Sequence, residues 1–379
     1  MTGNARVSIR EEYAKRLPAF AQQFVTRFSG KAAAGQAAPK RVVPGGVNVA
    51  LTLAQWPAAI AVGAATLMTH PVLGIVSLPP LWLASVNALR KDQAVLGHHA
   101  VHREIAETQQ KNYAIQVVLS SASFVHNWED YFEDHVRGHH SRKIFTTAAD
   151  PDAAFLMQMG FRPGMSPRAL WRQLRRTVAS PRFHMIFLQA RIRTNFVTAP
   201  WHRRLAAAAW LAGLAGAAVL MPAWVFVATV VIPLLPLYHV SGLLQFLSEH
   251  AWLTTENAAG SKEEYAARTW GRFCLEPLPA SDLAGWAKVR GWARWAARMA
   301  LVQLPTRYGV VMGDLPVHDL HHLFPAEHDW TRSLWVRQQR IDRGESQGME
   351  NREFYKLADA IDAVFDGMSR ACQEPCVSA

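Results

Sequence analysis

Two stretches of the chain carry no charge. No Lys, Arg, Asp or Glu stands between Arg41 and Arg90, and none between Arg204 and Glu249. Each gap is about twice the ~20 residues that a helix needs to cross a bilayer. A proline near the middle splits each gap, at His70-Pro71 and at Met221-Pro222. The pattern predicts two transmembrane hairpins, with helices over 47–68, 72–89, 205–220 and 223–247. The first apolar segment is too long, and starts too far from the N-terminus, for a cleaved signal peptide.

The remaining chain mixes charge with helical periodicity. Arg6 to Phe28 sets Arg and Lys among Tyr, Leu, Phe and Val, as in an amphipathic helix lying on a membrane surface. Lys31 to Lys40 is Ala/Gly-rich and reads as a loose linker, and the last dozen residues read as a frayed tail. Ser166 to Phe196 carries Arg168, Arg172, Arg175, Arg176, Arg182, Arg191 and Arg193 among Leu, Trp, Phe and Ile, and reads as interfacial. Between Asp282 and Leu304, Trp286, Val289, Trp292 and Trp295 recur about one turn apart, flanked by Lys288, Arg290, Arg294 and Arg298. That stripe suits the headgroup layer, and equally the packing of a cytosolic domain.

The expected fold is an all-α integral membrane protein, with four transmembrane helices in two hairpins and a helical cytosolic cap. Residues 1–45 form a basic, partly interfacial N-terminal segment, 46–340 the membrane domain, and 341–379 a C-terminal cytosolic helix and tail.

Charge adds orientation. The chain has 40 Lys and Arg against 29 Asp and Glu, a net +11. The turns at Thr69-His70-Pro71 and Met221-Pro222 contain no basic residue. By the positive-inside rule the opposite side is cytoplasmic, so an inner-membrane protein with both termini in the cytoplasm is expected. No nucleic-acid motif, phosphate-binding glycine loop, or flavin or nicotinamide fingerprint occurs. The three cysteines, Cys274, Cys372 and Cys376, match no zinc or iron–sulfur spacing. Cys274 is expected in the core.

Three histidine clusters fall on the basic side. They are His98-His99-Ala-Val-His102, His135-Val-Arg-Gly-His139-His140 and His318-Asp-Leu-His321-His322. Residues three and four apart share a helix face, so His98 pairs with His102, His135 with His139, and His318, His321 and His322 converge. His140 is offset by about 100° from His139. Asp314 can cap the third cluster's helix and Pro316 suits its first turn. Neutral imidazole suits iron and zinc, and a catalytic zinc needs about three protein ligands. Leaving His99 aside, eight imidazoles exceed that, and a dinuclear iron centre is the candidate. The isolated His126, His184, His202, His239 and His328 are expected to be structural or exposed. His239, inside the fourth span, is a candidate for the substrate tunnel or for a hydrogen bond to a ligand. Asp130, Glu133, Asp134 and Asp319 lie beside ligand histidines and are expected to accept an imidazole N–H.

These clusters resemble the histidine boxes of the membrane fatty acid desaturase/hydroxylase superfamily. The stretch from His139 through Thr146 and Thr147 to Asp150-Pro151-Asp152 is similar to the family's run after its second box. Ser248-Glu249-His250 resembles the motif that supplies a further ligand, and His321-His322-Leu-Phe-Pro325 a typical third box. The resemblance spans roughly Val47 to Trp330. It implies a di-iron centre of Fe2+ ions that uses dioxygen and an external electron donor. The implied ligands are His98, His102, His135, His139, His140, His250, His318, His321 and His322. His99, Asp134, Glu249, Asp319 and His239 are the supporting or additional candidates.

Two departures bear on the outcome. His99 stands where an acidic residue is common in the first box. The second box, with three residues before its doublet, also resembles that of alkane and xylene monooxygenases. A fatty-acyl desaturase is the leading expectation, and a lipid or alkyl hydroxylase or a fatty acid decarboxylase the alternative. A membrane zinc hydrolase or metal-responsive receptor belongs to a different class, which metal content separates. The expected partners are an acyl-lipid substrate, membrane lipids, and a separate electron-donor protein with its reductase. A ferredoxin, a rubredoxin or a b-type cytochrome would fit, and no nucleic acid is expected. The basic surface could dock an acidic donor.

Overall fold

The computed structural model describes residues 8–255 and 257–371. Cys372, Cys376 and most of the tail expected to fray lie outside them. Four helices are long and apolar enough to cross a membrane: Gly45–Thr69, Pro71–Val101, Trp201–Leu220 and Ala223–Glu249. They coincide with the four spans expected from the charge-free stretches, with one instructive difference. The second helix does not stop at 89. It runs through Arg90, Lys91 and a π-helical turn at Asp92–Gly97 to Val101. Charge ends the stretch that lipid tolerates, but it does not end the backbone hydrogen bonding. Asp92 is buried and accepts from Ser123 Oγ at 2.6 Å. The first histidine cluster therefore sits on the last turn of this helix.

The first and second helices pack closely where the chain reverses at His70-Pro71. A Cβ on Gly74 would lie 2.6 Å from the Leu67 Cα, so only glycine admits this approach. Outward-facing Val62, Leu73, Ile75, Val76, Leu205, Val219 and Leu220 are all exposed. A continuous apolar surface of this kind suits lipid.

The fourth helix is widened by π turns at Val227–Val231 and Pro233–Leu237 before Tyr238–Glu249. Pro233 and Pro236 lack the N–H that an α-helix requires, which explains the irregularity. The Leu234 carbonyl accepts instead from Arg191 Nη1 at 2.7 Å.

Beyond the membrane helices, Pro151–Gln158, Pro167–Val178, Pro181–Ile192 and the C-terminal Leu357–Arg370 enclose one core. Leu156, Phe161, Leu170, Leu174, Leu247, Trp252, Val364 and Phe365 pack together there. On Pro167–Val178 the helical period places Leu170 and Leu174 inward and Arg168, Arg172, Arg175 and Arg176 outward. Arg191 breaks that expectation and is buried. The tryptophan stripe forms the helix Gly285–Arg298, which buries none of its residues, and Trp286 is 78% exposed. Trp295 Nε1 donates to Tyr13 Oη at 2.7 Å, and Arg298 pairs with Glu276 through Nε at 2.8 Å and Nη2 at 3.0 Å. Cys274 is fully buried, in the core as expected.

Two expectations fail here. The described part of the segment expected as one surface helix is two: Leu17-Pro18 divides it into Ile9–Arg16 and Ala19–Ser29. Arg10 and Tyr13 are buried, and Tyr13 Oη donates to the Glu276 carbonyl at 2.7 Å, while Phe20 and Phe24 stay exposed. Lys31–Lys40 is not a loose linker. Ala32 and Ala33 are buried, Lys31 pairs with Glu353, and Gly35 N donates to Asp342 at 2.9 Å. Composition could not show this, because the partners lie more than 300 residues away. The fold also departs from all-α in one detail. Gly271–Arg272 and Glu353–Phe354 form a two-residue parallel strand pair, which makes packing continuous across residue 341.

Candidate metal centre

Four pieces of backbone bring the histidines together. His98 and His102 come from the end of the second helix, and His250 from the residue that ends the fourth. His318, His321 and His322 lie on the short helix His318–Leu323. His135, His139 and His140 lie on or just after a π helix, Phe132–His139. The π turn changes the expected geometry. His140 N donates to the His135 carbonyl at 3.1 Å, five residues back. That wider turn sets His140 beside His135, with their Nε2 atoms 3.1 Å apart.

The side chains form two adjacent nests. His98, His102, His135 and His321 make an outer nest, in which two members are only partly buried. His139, His250, His318 and His322 make a fully buried inner nest. In each, the candidate ligand atoms lie within 4.8 Å of one another. His140 stands between them, stacked on His322 at 4.4 Å and 4.8 Å from His321. The nests adjoin, since the His98 and His318 ring centroids are 5.4 Å apart.

The nitrogens fit metal ions. Nε2 atoms face each other at 3.0 Å for His98–His321, 3.0 Å for His318–His322 and 3.3 Å for His102–His321. Two neutral imidazole lone pairs repel at such distances unless a proton or a cation lies between them. Ligand nitrogens about 2.1 Å from a shared ion sit about 3 Å apart. Both ring nitrogens of His250 are buried without a hydrogen-bond partner among the described residues. Burial and mutual repulsion hold His135, His140, His250, His321 and His322 well below the usual imidazole range. Burial, then the charge of neighbouring histidines, takes His102 down to about 3. His318 falls to about 4 through burial, which outweighs the opposing charge of Glu249. The neutral form that binds metal therefore prevails at neutral pH.

Supporting groups are unevenly distributed. His139 Nδ1 donates to Asp150 Oδ2 at 3.0 Å, and Asp152 lies 3.7 Å from the same nitrogen. Burial alone would lower His139, yet the Asp150 carboxylate raises it to about 9. Asp150 itself is fully buried, caps the helix Pro151–Gln158 through the Asp152 N–H, and accepts from Thr146 N. Tyr265 Oη and His322 Nδ1 share a hydrogen bond at 2.8 Å. Neither Asp150 nor Tyr265 was expected as a site residue. The Asp-Pro-Asp run that marks a helix start was the signal for Asp150, and none marked Tyr265.

Glu249 lies 3.6 Å from His318 Nε2 and accepts from Arg272 at 3.0 Å. His99 has both nitrogens committed, Nδ1 to Glu104 at 2.6 Å and Nε2 to Asp314 at 2.8 Å. It braces the first cluster and offers no nitrogen to a metal. Asp314 consequently makes no side-chain cap, contrary to the sequence expectation, while Pro316 does start the turn Leu315–Val317.

Four acidic candidates do other work. Asp319 accepts from Arg337 Nε and Nη2 at 3.0 and 2.8 Å, so it anchors the third cluster's helix rather than an imidazole. Asp130 accepts from Asn127, Thr194 and Thr198. Glu133 pairs with Arg137 on the surface. Asp134 is exposed, and no hydrogen bond joins it to a cluster histidine among the described residues.

The isolated histidines stay outside the nests. His239 stacks on Phe187 at 4.6 Å and faces His184 across 3.2 Å. His126 meets Gln93, His202 meets Tyr113, and His328 lies on the surface beside Glu104.

A cavity of about 240 Å³ opens against the nests. His98, His135, His139 and His318 form one wall, and Phe155, Ile186, Phe187 and Phe246 an apolar one.

No curated protein and no solved structure matches the chain. The family model described as fatty acid desaturase matches residues 77–337, which is more than half of the chain and contains every cluster histidine. This chain belongs to the fatty acid desaturase family.

Proposed function

We propose that the protein is a membrane-bound di-iron, dioxygen-dependent desaturase acting on a lipid acyl chain. The observation that carries this is the pair of adjacent four-histidine nests forming one wall of a partly apolar cavity. A single catalytic zinc would leave most of these imidazoles unused. Two iron ions held by the nests would supply dioxygen activation. The protein's own part is to hold the nine imidazoles in place, through Asp150, Tyr265 and the His99 clamp, and to keep bulk water from the inner nest. Phe155, Ile186, Phe187 and Phe246 would hold the chain against the imidazole wall.

The reaction balances as follows. Two C–H bonds of neighbouring carbons break and a C=C bond forms. Two electrons and two protons from the substrate, with two electrons from a donor and two protons from solvent, reduce dioxygen to two waters. No flavin or nicotinamide motif occurs, so a separate iron–sulfur or haem protein supplies the second pair. The absence of charge from both membrane turns supports a cytoplasmic location for the nests, where such a donor would dock against the basic surface.

The Gly138-His139-His140 spacing of the second cluster favours a second outcome, hydroxylation. To separate the two, the detergent-purified protein is supplied with a reduced donor, dioxygen and saturated acyl substrates, and product mass is recorded. Loss of two hydrogens supports the desaturase, gain of one oxygen replaces it with a hydroxylase, and loss of the carboxyl carbon with a decarboxylase. No oxygen uptake in iron-loaded protein would refute all three.

A further inference from the structure

Two arginines line the same cavity beside its apolar residues. Arg90 and Arg191 both line it, and both are at least nine-tenths buried. They flank one aromatic ring: the guanidinium carbons lie 4.9 and 4.1 Å from the Tyr238 centroid. Neither forms an ion pair with a carboxylate among the described residues, although most other buried arginines and the buried Lys31 do or are bound by several carbonyls. Arg191 spends Nη1 on the Leu234 carbonyl, and its Nε and Nη2 have no hydrogen-bond partner among the described residues. Arg90 reaches Gln93 and Gln245 through Nη1 and Nη2, and its Nε is likewise unpartnered.

Burying a guanidinium without a counter-charge is costly. Burying two side by side costs more, because like charges also repel. The chain had other options. On the amphipathic segment that precedes it, Arg168, Arg172, Arg175 and Arg176 all reach solvent. The unpartnered edge of Arg191 is itself specific. Nε–H and Nη2–H point the same way from the planar group, which is the fork that takes both oxygens of a carboxylate.

Both arginines belong to the same enclosure as the nests. Arg90 bonds Gln245, Gln245 Nε2 donates to Glu249 at 3.3 Å, and Glu249 lies 3.6 Å from His318 Nε2.

We propose that Arg191, assisted by Arg90, binds the carboxylate of a free fatty acid inside this cavity, so that the substrate is the free acid rather than a thioester or a phospholipid. The assignment rests on the cavity being the substrate site of the proposed oxidation. A carboxylate would supply the missing counter-charge and the partner that the buried Nε and Nη2 lack. A thioester has no charge at the corresponding position, and its bulky carrier would have to share the enclosure with both arginines.

The test compares dodecanoic acid with its methyl ester, by competition against a radiolabelled acid on the detergent-purified full chain, both metal-free and iron-loaded. The acid is expected to bind at least about tenfold more tightly than the ester, the scale of a charge-assisted hydrogen bond. Arg191→Gln should bring the acid down to the ester's affinity and leave ester binding unchanged. Arg191→Lys should recover part of the difference, because it restores charge without the fork. Retained ester binding shows that a variant is folded, and the wild-type comparison needs no variant. Equal affinity of acid and ester in the wild type would overturn the proposal. So would an acid preference that survives Arg191→Gln and Arg90→Gln together. Acid preference without any oxidation product would sink the desaturase reading and leave this site standing. Oxidation of ester and acid at equal rates would sink this site and leave the desaturase reading.

Discussion

The outer and inner nests use the same side chain and differ in what stands behind it. The inner nest is fully buried, and two of its four histidines have a hydrogen-bond partner on the far nitrogen: His139 has Asp150 and His322 has Tyr265. The outer nest has two half-buried members, and its principal brace, the Glu104–His99–Asp314 clamp, acts on the helix rather than on a ligand ring. Imidazole orientation and basicity depend on the group that accepts the far N–H. The inner nest is thus preorganised at two of its rings, His139 and His322, and the outer nest through the backbone. On this reading the inner site should bind metal more tightly, and the outer site should exchange it.

The largest expected effect removes what both nests share. Arg337 holds Asp319 on the helix that feeds each of them, and also pairs with Glu353. Breaking a buried pair on one side costs about 3–5 kcal/mol. Arg337→Ala should lower the unfolding midpoint sharply and weaken both sites together. Loss confined to one nest would show that the helix is not their common support.

Next comes a ligand of the inner nest alone. Binding free energies of roughly 10–16 kcal/mol shared among four ligands imply a loss of at least about fiftyfold in affinity when one is deleted. His250→Ala should therefore release the inner ion and leave the outer one, which metal analysis after gel filtration would read. Loss of both ions at once would mean that the two nests are a single coupled site.

Asp150→Asn is milder. It keeps the shape and removes the charge behind His139, so about a 10–100-fold loss of inner-site affinity is expected. The outer site should be unaffected, and equal weakening of both would contradict the division. Because Asp150 also caps a helix, an unchanged unfolding midpoint is the control.

How much of this was legible in the sequence depended on whether a feature was local. Four spans could be read because an uncharged stretch needs no knowledge of its partners. The cluster histidines stood out because same-face spacing is a property of a few consecutive residues. The position of His140 did not, since it depends on a π turn that no residue in Phe132–His139 announces. Asp314 was read as a cap, but its carboxylate finds His99, more than 200 residues away. Arg191 looked like one of a row of surface arginines until the fold turned it inward. Long-range pairing decided each of these, and a local pattern carries no record of it.

The smallest effect is one of pH. In the metal-free protein His102 and His318 are held near 3 and 4, below their ordinary 6.5. The unfolded chain then binds more protons than the folded one between those values, so stability falls as pH drops below 6.5. His139, raised to about 9, acts the other way: its contribution is present below 6.5 and lost as pH rises towards 9. The depressed histidines outnumber it, so the unfolding midpoint of metal-free protein should fall from pH 7 to pH 5, and iron should blunt the slope. A midpoint that rises with acid would contradict the neutral-imidazole account.

The most direct test of the central claim, two metal sites built from histidine, is the metal content of the detergent-purified chain by mass spectrometry. Two irons per chain in the wild type, falling to one in His250→Ala, is the predicted result. About one zinc per chain, with iron absent even after anaerobic loading, would contradict it.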